Sequence, residues 1–226
     1  MKVKIFGILL FIVFCSASLH GQNLKNEVDS LSYALGVMFG KTIQTNLQSG
    51  GFQINNDIFI QTIQKIFQNE TLDMSPEQAN MMINTQYVKN QQLKSTKNLE
   101  AGRAFLNNNK TAPGVVTLPS GLQYKVITMG TGEKPIATDK VTVHYHGTLL
   151  NGTVFDSSVD RNQTIEFSVN GVIAGWTEAL QLMPVGSKWI LFIPSELAYG
   201  ETQRQGSPIE PNSVLIFEVE LISINN

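Results

Sequence analysis

Apolar residues recur along this chain with two different periods, helical in the front half and alternating in the back half. Between about Leu24 and Asn109 the spacing is helical, with Leu31, Leu35, Met38, Phe39, Ile43 and Leu47 on one stripe that Ser49-Gly50-Gly51 terminates. A second helix is predicted after Asn55-Asn56-Asp57, carrying Ile58, Phe59, Ile63, Ile66 and Phe67. The third has the clearest start: Ser75 as N-cap, Pro76 at the first helical position and Gln78 completing a capping box. No breaker follows before Gly102, so this helix is expected to reach about Asn107 and to be roughly 45 to 50 Å long.

The third helix is unevenly apolar. Its first half offers Ala79, Met82, Ile83 and Tyr87, whereas from Val88 to Asn98 only Val88 and Leu93 have anything to bury. A helix polar all round usually bridges through solvent, so the stretch is expected to be a rod joining a small helical domain to a sheet domain. About 50 residues ahead of the rod are marginal for an independent core. Pairing with a second copy would supply the missing cover, and Met38, Met74, Met81 and Met82 suit an adaptable interface. The alternative is that these helices pack back on their own sheet domain.

After Asn107-Asn108-Asn109 and Ala112-Pro113-Gly114 the period changes to two. Leu122, Tyr124 and Val126 alternate with polar residues, as do Val141, Val143, Tyr145, Gly147 and Leu149, and Asn151-Gly152 then signals a tight hairpin. Ile165, Phe167 and Val169 alternate again, and Leu215, Phe217, Val219 and Leu221 share one face of the last strand. Between the strands Trp176, Ala179, Leu180 and Met183 fall on one face of a short helix, which Pro184 and Gly186 stop after about two turns. Before it, Gly171 to Gly175 allow backbone and indole to come close, so Gly171-Val172-Ile173-Ala174-Gly175-Trp176 is expected to form the floor of a pocket. Five or so strands and one amphipathic helix make an α+β domain, an antiparallel sheet wrapped on a helix.

Composition narrows the function classes. The 226 residues are 42% apolar and 15% charged with a formal charge of −2, a globular chain with no long like-charge run and no reason to expect nucleic acid. Lys2 and Lys4, the apolar run from Ile5 to Phe14, and Ser16-Ala17-Ser18 have the pattern of a secretory signal peptide. The run is too short to span as a stable helix, which leaves a membrane anchor as the weaker alternative. Cys15 is the only cysteine; Phe14 precedes it where a lipoprotein signal would have a small residue, so lipidation is not expected. Cleavage near Ser18 or Gly21 leaves a chain without cysteine, suited to an oxidising compartment but drawing no disulfide stability from it. The expected organisation is a signal peptide over 1–21, a helical dimerisation domain over 22–74, a linking helix over 75–112 and a sheet domain over 113–226.

Five motifs, in order and in register, now carry a resemblance: Val143-His144-Tyr145-His146-Gly147, Phe155-Asp156-Ser157-Ser158, Val172-Ile173-Ala174-Gly175-Trp176, Leu197-Ala198-Tyr199-Gly200 and Ile209-Glu210-Pro211-Asn212. From about Gly121 onward the chain resembles the FKBP-type peptidyl-prolyl cis-trans isomerases, and its helical front half is similar to their secreted, dimeric macrophage-infectivity-potentiator branch. The resemblance implies a proline-sized pocket. It assigns catalytic roles to Tyr145, Phe155, Asp156, Tyr199 and Phe217, and substrate-binding roles to Val172, Ile173, Trp176, Ile165, Ile209 and Arg161. The indole would form the floor and the aromatics the walls, while the Ile173 N–H and the Tyr199 hydroxyl meet substrate carbonyls. Arg161 would pair with Asp156 at the rim. Unfolded or proline-containing polypeptides, and macrolides of the tacrolimus and rapamycin type, are the implied ligands, and no cofactor is implied. The chain departs from the family pattern at Ile165, in the loop from Glu201 to Ser207, and at Glu210, which replaces the first of two usual prolines.

Isomerising an X–Pro bond needs no acid or base. The barrier of about 18 to 20 kcal/mol comes mostly from amide resonance, and an apolar pocket disfavours the polar planar form relative to the twisted one. His144 and His146 lie two apart on one strand face and offer two metal ligands without a third, so no metal site is expected. A rival of another class stays open: a periplasmic holdase chaperone that binds unfolded chains without significant turnover.

Overall fold

The computed structural model describes residues 24–202 and 206–225. The signal-peptide and Cys15 readings, and part of the loop between Glu201 and Ser207, fall outside those residues. The chain divides between Ser49 and Gly50 into two compact units. The first contributes helix α1 (Glu27–Gly50), whose start is held by Asn26 Oδ1 accepting the Asp29 N–H at 2.9 Å. Leu31, Met38 and Phe39 on this helix are all more than half exposed.

In the second unit, α2 (Asn56–Phe67) starts two residues earlier than the sequence suggests, because Asn55 is the cap and accepts both the Asp57 and Ile58 N–H groups. Phe67 at its end is 83% exposed, so its apolar face also lacks cover. Helix α3 (Pro76–Asn109) opens with the expected capping box between Ser75 and Gln78. Its 34 residues make it about 51 Å long at 1.5 Å per residue.

A single antiparallel sheet follows, built from β1 (Val115–Thr117), β2 (Gln123–Thr128), β3 (Lys140–Leu149), β4 (Val154–Ser157), β5 (Ile165–Ser168), β6 (Lys188–Ile193) and β7 (Leu215–Asn225). The order is β1-β2-β6-β7-β3-β4, with β5 paired to the first half of β3 and β4 to its second half. The alternating runs named in the sequence become β2, β3, β5 and β7, whereas β1 and β4, at three and four residues, are too short to show a period. Helix α4 (Ala174–Leu180) lies across one face, burying Trp176, Ala179 and Leu180 over Val143, Leu191, Ile193, Val219 and Leu221. Gly175 makes the close approach possible, since a Cβ there would sit 2.5 Å from Ile193 Cγ2.

The end of α3 occupies the other face. Side chains alternate along β6, so Phe192 points away from α4 when Leu191 and Ile193 point toward it, and Phe192 meets Phe105 of α3 with ring centroids 5.8 Å apart. Gln123, only 3% exposed, donates to the Leu106 carbonyl at 2.9 Å and accepts from Asn109 at 2.8 Å. Here the structure differs from the expected solvent-bridging rod: from Lys94 onward α3 is docked, and Ser95 is buried. The docking contacts from Lys94 to Asn98 are polar, so an apolar count along the helix cannot register them.

Candidate functional site

A cavity of about 600 Å³ opens above α4, with Trp176 at its base. Trp176 is 3% exposed, and its Nε1–H has no hydrogen-bond partner among the described residues, so the floor presents a ring rather than a polar atom. Around it Tyr145, Phe167 and Phe217 stand edge-on, with ring planes at 85°, 82° and 79° to the indole. Phe155 meets Phe217 edge-on at 5.2 Å. Such edge-to-face contacts place the positive ring edge over the negative face of the next ring, which fixes ring orientations as well as burying area. Val172, Ile173, Ala198, Tyr199 and Ile209 complete the walls.

The strands set these positions by period and register. Tyr145 on β3 lies opposite Val219 on β7, and Gly147 lies opposite Phe217, so the missing side chain at Gly147 leaves room for two rings. A Cβ on Gly147 would fall 2.7 Å from the Phe155 ring and 2.9 Å from that of Phe217. The alternation sends His144 and His146 away from the pocket, where their Nδ1 atoms meet Ser158 Oγ and Ser157 Oγ at 3.0 and 2.9 Å. Among the described residues no group of three His, Cys, Asp or Glu side chains is placed to hold a metal.

One charged group sits at the rim. Asp156 accepts from the Tyr145 hydroxyl at 2.6 Å on one oxygen and from Arg161 at 2.6 Å on the other, and Arg161 also donates to the Tyr145 oxygen at 3.1 Å. Burial pushes the Asp156 carboxyl up, but the bonds from Tyr145 and Arg161 outweigh it and hold the group below the ordinary carboxylate value. Burial, reinforced by the carboxylate it serves, holds the Tyr145 phenol above its ordinary value. At neutral pH Asp156 is therefore a charged clamp on the Tyr145 ring, and a poor base.

Of the residues singled out in the sequence, Tyr145, Phe155, Asp156, Val172, Ile173, Trp176, Tyr199, Ile209 and Phe217 converge on this cavity. Arg161 and Ile165 do not line it: Arg161 acts on it through Asp156 and Tyr145, and Ile165 packs on the core beside Val143. Phe167, two residues further along the same face of β5, lines the pocket instead. Period two was the available signal, because whatever side of the strand Ile165 takes, Phe167 takes also.

Two family models match, one described as FKBP-type peptidyl-prolyl cis-trans isomerase over residues 131–222 and one as the domain amino terminal to it over residues 28–126. The chain is 43% identical to the outer membrane protein MIP of Legionella longbeachae over 216 residues, covering 92% of this chain and 90% of that one. It is 42% identical to the peptidyl-prolyl cis-trans isomerase Mip of Coxiella burnetii over 212 residues, covering 89% and 88%. The crystal structure of FkpA from Escherichia coli superposes with a TM-score of 0.73 at 33% identity, over 90% of this chain and 99% of that one.

Proposed function

The chain belongs to the FKBP-type peptidyl-prolyl cis-trans isomerases, and from that premise we propose that the cavity over Trp176 is where it turns X–Pro bonds, without any proton transfer. The observation that carries the reading is the lining itself: edge-packed aromatics around an indole floor, with Asp156, the one ionised group among the described lining residues, tied at both oxygens. A proline ring seated against Trp176 places its amide among Tyr145, Phe155 and Phe217. In that apolar surround the charge-separated planar amide loses more than the twisted one, and every 1.36 kcal/mol of difference is about tenfold in rate. The Ile173 N–H and the Tyr199 hydroxyl hold the flanking carbonyls and so position the twist.

Tacrolimus- and rapamycin-type macrolides compete for the same cavity. The isomerase domain extends over 113–226 and the linking helix over 75–112. The front half, over 22–74, pairs two chains, a reading supported by the uncovered Leu31, Met38, Phe39, Ile66 and Phe67 and by the match to the amino-terminal family domain. A dimer offers two pockets to one unfolded client, an avidity gain on the order of 10² when the span permits, which supports chaperone action alongside turnover. The relative named as an outer membrane protein, MIP of Legionella longbeachae, and the pattern of residues 1–21 support export of this chain to the periplasm or outer membrane. Among the described residues no helix is long and apolar enough to cross a membrane. Turnover of a short proline peptide, with and without a macrolide, tests the reading. The isomerase accelerates exchange and the macrolide abolishes that effect, whereas a pure holdase gives no acceleration.

A further inference from the structure

Lys94, Ser95 and Asn98 lie close together on one side of α3, and all three meet the loop from Ile209 to Ser213. Lys94 Nζ pairs with Glu210 Oε1 at 2.9 Å, while Asn98 Nδ2 donates to Glu210 Oε2 at 3.3 Å and to the Pro211 carbonyl at 3.0 Å. Both carboxylate oxygens of Glu210 are thus held from the helix. Ser95 and Asn212 are 8% and 6% exposed, and Asn212 Nδ2 donates to Ser95 Oγ at 2.8 Å. The Asn212 backbone N–H donates in turn to the Gly200 carbonyl at 2.7 Å, and its φ of 58° lies in the left-handed region that few non-glycine residues occupy. Two pocket residues are therefore one peptide unit from a group anchored in this way: Ile209 beside Glu210, and Tyr199 beside Gly200. One further turn along α3, a Cβ on Gly102 would come within 2.7 Å of Val214 Cγ2, so the helix also abuts the chain just after the loop.

We propose that α3 belongs to the isomerase site, with Lys94, Ser95 and Asn98 acting as positioning residues that set the Ile209 and Tyr199 side of the pocket through Glu210 and Asn212. The proposal rests on the pocket assignment above. Its consequence is that the helix leading from the front half also tunes how tightly the residues flanking proline are held. Glu210, which departs from the family pattern in sequence, is the side chain through which the helix grips the loop.

The test uses the full-length mature protein and steady-state turnover of a short proline peptide. Lys94→Glu and Glu210→Lys are expected each to raise KM about fivefold with kcat within about twofold of wild type, the signature of lost binding rather than lost chemistry. Combining them restores the pair with its charges exchanged and is expected to return KM to within about twofold of wild type, a recovery that generalised damage does not produce. Ser95→Ala, which removes one oxygen and keeps the helix, provides a milder variant that also raises KM. Wild-type KM in Ser95→Ala and in both charge variants overturns the proposal, and so does a double variant no better than the worse single one. Phe155→Ala, measured in parallel, separates the two claims: a loss of turnover there with silent α3 variants sinks the positioning role alone, while full turnover there sinks the pocket assignment.

Discussion

The Tyr145 hydroxyl donates to Asp156 over 2.6 Å, and the carboxylate's second oxygen is taken by Arg161. The pair fixes the pH behaviour of the site. Asp156 titrates below its ordinary value, so its stabilising effect is present above the unfolded-state value near 3.9 and is lost as pH falls through the folded one. Tyr145 titrates above its ordinary value of 10.0, so its contribution is present below that and is lost as pH rises through the folded value. Neither changes state between about pH 6 and 8.5. The expected kcat/KM profile across that window is flat in wild type, and His144→Ala and His146→Ala leave it unchanged. A step that disappears in either variant would replace amide twisting by acid–base catalysis.

Gly147 offers a test of pocket shape that leaves every pocket side chain in place. An added methyl group meets the Phe155 and Phe217 rings at 2.7 and 2.9 Å, and aromatic rings have few ways to yield. Gly147→Ala is expected to lower kcat/KM about tenfold, equivalent to 1.36 kcal/mol, while the far-UV spectrum stays native. Wild-type turnover would mean that ring placement around Trp176 is not what governs the rate.

Where the chain is cut decides what a fragment can do. A fragment starting near Thr85 keeps the docked turns of α3 and is expected to be monomeric by light scattering, with wild-type turnover of a short peptide and a much weaker effect on refolding of a whole protein. One starting at Pro113 uncovers Val214 and Phe192. Each buried side chain of that size is worth about 1.5 to 3 kcal/mol, so its melting temperature should fall by roughly 10 °C or more. Full-length protein that scatters as a monomer would refute the pairing role of the front half.

How much of this was legible in the sequence varied with the kind of contact. The capping box at Ser75 and the convergence of Tyr145, Trp176 and Phe217 follow from local chemistry or from motifs, and they appear as expected. Phe167 was missed as a lining residue because the family pattern drew attention to Ile165, two positions earlier on the same strand face. The docking of α3 was missed for a different reason. Lys94, Ser95 and Asn98 look solvated in any hydrophobicity count, and what holds them is a loop more than 110 residues away in the chain. Polar partners at that separation leave no periodic trace.

The account stands most directly on kcat/KM for a short proline peptide in Phe155→Ala, measured beside wild type with circular dichroism to confirm the fold. Phe155 supplies apolar cover and no titratable group, so removing it admits water to the amide and leaves any acid or base untouched. A fall of about tenfold or more is the result desolvation predicts. Unchanged kcat/KM in a folded variant would contradict it.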